Sequence, residues 1–155
     1  MQKVTIYIDT YHTGTLKHGT GSYTIVLEYI KDNFGEVTRE YIEGVRNTTK
    51  NRTALYACIS AFSRMKRPCE VTVIINSQYI VQSINNGNMQ KWINTGKNAK
   101  GVNPKNIDLW LQLAGLLSDH SIIFTYEPKN QYTTCMNLEM RRVPIDFIED
   151  GGSKA

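Results

Sequence analysis

Residues 71–75 read Val-Thr-Val-Ile-Ile, and this nearly unbroken apolar run constrains the fold more than any other feature of the chain. A strand that is apolar on both faces must be covered on both, which places it inside a sheet beside parallel neighbours. Parallel neighbours need crossover connections, usually helical. The flanking segments supply them. Leu55, Ile59 and Phe62 recur at helical spacing, with Met65 on the same side, so residues 51–66 read as an amphipathic helix that Pro68 stops. Ser77 is a candidate cap for a short helix reaching about Asn85. Leu109, Leu113 and Leu116, with Trp110 and Leu117, mark a further helix from about Asn106.

Upstream the period is two. Val4, Ile6 and Ile8 alternate with Thr5 and Tyr7 in a half-buried strand expected to end at Asp9. Residues 10–21, rich in Gly, Thr and His, read as a turn. Residues 22–30 and 36–44 read as two more strands joined by the turn Asp32-Asn33-Phe34-Gly35. Residues 121–126 make a fifth strand, and a last helix starts near Thr133 and ends before Pro144. Residues 86–105 are polar, rich in Gly, Asn and Lys, and carry no helical pattern. The expected order is three meander strands, helix, strand, two helices, strand, helix, in one domain over residues 1–148. Residues 149–155 read as a flexible tail.

Several function classes are disfavoured at this stage. The three cysteines, Cys58, Cys69 and Cys135, are odd in number and form no C-x-x-C pair, which argues against a zinc site or a disulfide framework. Cys58 falls within an apolar helical pattern and reads as a core residue. His12, His18 and His120 have no ligand-like spacing and read as ordinary turn residues. No run of 18 apolar residues exists, so no membrane span is expected, and the strand pattern beginning at Val4 leaves no room for a signal peptide. A cytoplasmic, monomeric protein is expected. The net charge of +4 is compatible with a polyanionic partner.

Three local sequences, in order, carry a family resemblance. Gly44-Val45-Arg46-Asn47-Thr48-Thr49-Lys50-Asn51-Arg52 resembles the G-x-T-x-T-N-N-R run of type 1 ribonuclease H. Asn76-Ser77-Gln78-Tyr79-Ile80 resembles that family's D-S-Q-Y-V, and Asn106-Ile107-Asp108-Leu109-Trp110 its N-x-D-L-W helix start. The resemblance spans about residues 4–142. It implies an α/β, ribonuclease H-like five-stranded mixed sheet, an antiparallel meander plus parallel strands, flanked by helices. It also implies a site in which several carboxylates converge on two divalent ions about 3.5–4 Å apart.

Position by position, this sequence departs from that pattern. The first-strand carboxylate is retained as Asp9. The other three family carboxylate positions hold Ala54, Asn76 and Asn137, the last after a shortened loop. The glycine that follows the first aspartate is Thr10, and the flexible-loop histidine falls near Asn130. Amide oxygens carry no net charge, and Mg²⁺ favours charged oxygen ligands. The expectation is therefore a catalytically inactive module with no cofactor, binding Mg²⁺ weakly if at all. By resemblance, Thr48, Thr49, Asn51 and Gln78 are substrate-binding candidates. So are Lys91, Trp92, Lys97 and Lys100, where relatives carry a basic protrusion. Turn and cap roles for the threonines, Asn51 and Gln78 and a core-anchoring role for Trp92 are equally open. The partner expected is a nucleic-acid duplex, such as an RNA/DNA hybrid. The alternatives are a residual metal-dependent endoribonuclease using Asp9, the amides and Glu127, and a protein-interaction scaffold.

Overall fold

The computed structural model describes residues 1–15 and 18–151. Among these, the elements run β1 (Gln2–Gly14), β2 (Gly19–Lys31), β3 (Gly35–Thr48), α1 (Lys50–Ser63), β4 (Cys69–Ile75), α2 (Gln78–Asn85), α3 (Asn88–Thr95), α4 (Ile107–Leu117), β5 (Ser121–Tyr126), α5 (Thr133–Arg142) and β6 (Phe147–Glu149). The sheet is mixed and six-stranded, in the order β5-β4-β1-β2-β3-β6. The apolar run of β4 lies where its composition demands, between β1 and β5 and parallel to both. β1, β2 and β3 form the antiparallel meander.

The core lies between the sheet and α1. Ile6, Ile8, Ile25, Val73 and Ile75 from the strands meet Leu55, Ala57, Cys58, Ala61 and Phe62, all at most 1% exposed. The helix can approach closely because Gly21 faces it: a Cβ there would stand 2.0 Å from Thr53 Oγ1. Cys58 is buried as expected, and burial pushes its thiol up to about 12.

Three expectations need correction. First, β1 and β2 extend past the apolar alternation, to Gly14 and from Gly19, so most of the turn expected over residues 10–21 is strand. The ladder continues beyond the core, where neither face selects for apolar residues and the period fades. Second, the polar stretch contains α3, set between left-handed Gly87 and Gly96. Its helix rests on the packing of Trp92 against Trp110, edge to face at 5.8 Å.

Third, the sheet has a sixth strand, and part of the expected tail belongs to the fold. Phe147 of β6 sits over Gly44, where a Cβ would come within 2.4 Å of its ring, and the Arg46 guanidinium lies 4.9 Å from that ring. Glu149 closes β6. Asp150 is buried and accepts from Arg52 Nε (2.7 Å), Arg52 Nη2 (3.0 Å), Thr48 Oγ1 (2.8 Å) and Tyr56 Oη (2.8 Å). Residues 152–155 lie outside the described residues.

Arg52 is itself 5% exposed and also donates to Asp108 (2.9 and 2.8 Å) and to Asn106 Oδ1 (3.3 Å). Removing one member of a buried ion network leaves an uncompensated charge, at a cost of about 3–5 kcal/mol. Arg52→Ala is expected to destabilise the protein by an amount of that order in urea denaturation. It should also speed hydrogen exchange of the β6 amides, which lose their anchor at Asp150.

Candidate nucleic-acid interface

Three consecutive residues of β1 organise the carboxyl end of that strand, Asp9 and Tyr11 reaching α5 and Thr10 reaching the end of β4. Asp9 turns toward α5. Its Oδ2 accepts from Thr133 Oγ1 at 2.8 Å and from Asn130 Nδ2 at 3.3 Å, while Oδ1 is buried with no hydrogen-bond partner. The carboxylate is 3% exposed. Burial raises its pKa above the ordinary value, and the Thr133 and Asn130 hydrogen bonds work against that rise.

Thr10 is joined to Asn76 at the end of β4, one step beyond the Ile8–Ile75 pair. Asn76 Oδ1 accepts from the Thr10 backbone N–H and from its hydroxyl, both at 2.9 Å, and Asn76 Nδ2 donates to the Thr10 carbonyl at 3.1 Å. An amide suits this latch because it offers an acceptor and a donor together. A carboxylate in the same place would set an anionic oxygen against the Thr10 carbonyl. Tyr11 completes the series, its hydroxyl donating to Asn137 Oδ1 on α5. Ala54, on the first turns of α1, is 1% exposed and contributes only a methyl to the core. Asn76 and Asn137 are thus tied to Thr10 and Tyr11, the residues that follow Asp9 on β1, and Ala54 brings no polar group to them.

Beside this cluster lies a groove of about 230 Å³ between the start of α1, the β4–α2 junction and the end of β5. Asn51 and Gln78, both exposed, line it as the sequence suggested. Lys50 and Tyr126 also line it and were not among the candidates. Lys50 had a legible signal, since it stands as a cation where the motif carries an amide. Tyr126, at the end of a strand, had none.

For other candidates the structure shows the capping and anchoring contacts that the sequence left open. Thr48 is 1% exposed and spends its hydroxyl on Asp150, so it is a structural residue with no surface to offer a ligand. Thr49 is the N-cap of α1, its hydroxyl accepting from Arg52 N at 3.2 Å. Trp92 is packed on Trp110 and anchors α3. Lys91, Lys97 and Lys100 are exposed on α3 and the segment after it. That segment is linked to the groove through Trp110, whose Nε1 donates to Tyr79 Oη at 2.8 Å.

The remaining titratable candidates are accounted for. Glu127 is exposed, and Glu139 pairs with Arg142 at 4.0 Å. His12 Nε2 lies 2.8 Å from the Thr48 carbonyl, and His120 Nδ1 accepts from Cys69 N at 3.0 Å. Among the described residues no three His, Cys, Asp or Glu side chains are grouped so as to hold a metal ion. No helix among them is long and apolar enough to cross a membrane.

Comparison with known proteins gives a consistent result. The RNase H family model matches residues 1–128. A ribonuclease H of Lachnoclostridium phytofermentans is 38% identical over 125 residues, covering 80% of this chain and 78% of the relative. The fold is similar to that of LC9-RNase H1, described as a type 1 RNase H with the type 2 active-site motif. The TM-score is 0.73 at 21% identity, over 87% of this chain and 70% of the other. It is also similar to LC11-RNase H1, solved in complex with an RNA/DNA hybrid, with a TM-score of 0.56 at 18% identity over 81% and 86% of the two chains.

The environment of Asp9 yields a pH-dependent expectation. A carboxyl whose folded pKa is raised favours the folded state below its unfolded pKa. That contribution is lost as pH rises through the folded pKa. Asp9→Asn should therefore stabilise the protein at pH 7 by about 1 kcal/mol, the scale of one imperfectly paired buried group. The gain should shrink on acidification and vanish below about pH 4, where Asp9 is protonated in both states. Urea unfolding of both proteins across this pH range measures the difference directly.

Proposed function

Because the chain belongs to the RNase H family, we propose that it is a catalytically silent RNase H module that binds a nucleic-acid duplex, with an RNA/DNA hybrid as the first candidate ligand. The observation that carries this reading is the Asn76–Thr10 latch. The family's two-ion chemistry needs several anionic oxygens free to coordinate, one ion activating water and the other steadying the leaving oxygen. Here Asn76 Oδ1 already accepts two hydrogen bonds, and Asn137 Oδ1 receives the Tyr11 hydroxyl. Asp9 supplies the lone carboxylate, and one of its oxygens is engaged twice. This donor set does not fit a pair of divalent ions.

The same changes favour duplex binding without metal. A carboxylate cluster repels phosphates unless cations screen it, and replacing three acids by Ala and Asn removes that repulsion. Lys50, Asn51 and Gln78 then offer one cation and neutral hydrogen-bonding groups beside the groove, and Lys91, Lys97 and Lys100 extend the positive surface. A second reading, residual hydrolysis through a single cation, is favoured by one feature: the buried, unpartnered Asp9 Oδ1.

One set of assays separates the two readings. Hybrid binding by the wild type should be nearly independent of Mg²⁺. It should fall steeply with monovalent salt, the log–log slope growing by about 0.9 for each phosphate neutralised. Changing Lys91, Lys97 and Lys100 to Gln should weaken binding more than Asp9→Asn does. No cleavage of hybrid is expected from the wild type. Metal-dependent cleavage that Asp9→Ala abolishes would establish the second reading. The triple variant Ala54→Glu, Asn76→Asp, Asn137→Asp should gain Mg²⁺ binding, but at a cost in stability, since it breaks the latch to Thr10.

A further inference from the structure

The opposite end of the sheet carries a larger cavity, of about 470 Å³, and it arises from a mismatch of lengths. Helix α1 has 14 residues and spans about 21 Å at ~1.5 Å per residue. Strand β2 has 13 residues and spans roughly 44 Å. The helix ends at Ser63, and the sheet continues uncovered beneath the segment that follows. The floor is made of Val4 and Leu27, both buried, and the half-buried Tyr29 and Tyr41, from three adjacent strands.

The walls of this cavity are cationic. Lys31 and Arg39 rise from the strands, and Lys66 and Arg67 from the segment after α1. No Asp or Glu lines it. The period of two explains this on the strands: Glu28, Glu36 and Glu40 occupy positions alternating with Leu27, Tyr29, Arg39 and Tyr41 and belong to the other face. Glu28 there accepts from Gln131 and Tyr132. Among the described residues Arg39, Lys66 and Arg67 have no carboxylate partner, and Lys31 touches the Phe34 ring.

Arg64 is already used within the protein. Its guanidinium lies 3.6 Å from the centroid of the Tyr41 ring and pairs with Glu43 at 2.9 Å, while its Nε is buried without an acceptor. The cavity therefore presents an aromatic and apolar floor and several uncompensated cations. An acidic peptide added as a strand would need a free backbone edge. Among the described residues β1 and β2 are paired on both sides and β3 has an unpaired edge over residues 35–43, but the cavity opens on the side-chain face of Leu27, Tyr29, Arg39 and Tyr41 and not along that edge.

We propose that this cavity binds single-stranded nucleic acid, with phosphates on Arg39, Lys66 and Arg67 and a base lying against Tyr29 and Leu27. Aromatic platforms bordered by cations hold bases of any sequence in this way. The site is separate from the groove at the other end. Val4 on its floor and Asp9 are five residues apart along β1, about 17 Å. The inference does not depend on whether the groove binds a duplex.

The probe is a fluorescein-labelled oligothymidylate, followed by anisotropy at low salt, with amide chemical-shift mapping on ¹⁵N-labelled protein to locate it. The wild type is expected to bind, shifting the amides of Leu27, Tyr29, Arg39, Lys66 and Arg67. The double variant Arg39→Glu, Arg67→Glu should lose about tenfold or more in affinity, since two phosphate contacts become repulsive. Both side chains are exposed. If charge reversal harms folding, Arg39→Gln, Arg67→Gln should give a smaller loss in the same direction. Changing Lys91, Lys97 and Lys100 should leave the shifts at Leu27, Tyr29 and Arg39 intact. Three results would each overturn the proposal: shifts confined to Asn51 and Gln78, unchanged affinity in both Arg variants, or equal displacement by thymidine monophosphate or polyglutamate at matched charge.

Discussion

Arg52 stands where three distant parts of the chain meet: the first turn of α1, the start of α4 and the end of β6. A buried guanidinium is tolerable only if nearly every donor is used, because desolvation costs several kcal/mol and an unpaired N–H adds to it. Asp108, Asp150 and Asn106 accept from it. The arrangement holds Arg52 charged and lowers the pKa of Asp108, whose largest cause is the Arg52 hydrogen bond. The chain of contacts then continues through Asn106 Nδ2 to Tyr79 Oη, on to Trp110 and finally to Trp92. The groove, α2, α4 and the lysine-bearing α3 are thereby fixed to one charged centre.

That centre also explains why the sequence motifs were informative about fold. Arg52 closes the first motif, Tyr79 belongs to the second, and Asn106, Asp108 and Trp110 belong to the third. Residues that read as a family signature are largely one hydrogen-bonded network. Asn106 adds a backbone reason, since it holds a left-handed conformation (φ 65°) at the start of α4 that most residues avoid.

The meander, the central place of β4 and the core face of α1 were legible because burial imposes a period, and the period survives in the sequence. Legibility failed where burial is not the selecting force. Past Asp9 the strands leave the core, and Thr, His and Gly continue the ladder without an apolar signal. α3 has no fully buried residue, and only Met89 and Trp92, the latter on Trp110, pack against the core. Asp150 looked like part of a polar tail because nothing local marks an acid whose partner lies 98 residues away. The Thr48 hydroxyl, bonded to that same acid, gave no local sign of it either. Asp9, Ala54, Asn76 and Asn137 could be singled out as identities, but their bonding could not. That Asn76 is committed to the Thr10 backbone follows from a geometry no single sequence displays.

The residues that hold the framework and those at the sheet end form two separate sets. Arg52, Asp108, Asp150, Gly21 and Gly44 hold the framework, and none of them is a family carboxylate position. Clustered carboxylates are a burden on stability, because like charges repel and burial penalises each of them. Ala54, Asn76 and Asn137 carry no charge and impose no such burden. Asn76 also makes a two-way hydrogen bond between β1 and β4 that a carboxylate could not make. Asp9 Oδ2 joins Thr133 and Asn130 across the start of α5, a structural use that needs no metal. At the end of β1 and β4, neutral hydrogen bonding thus holds the two strands together unaided.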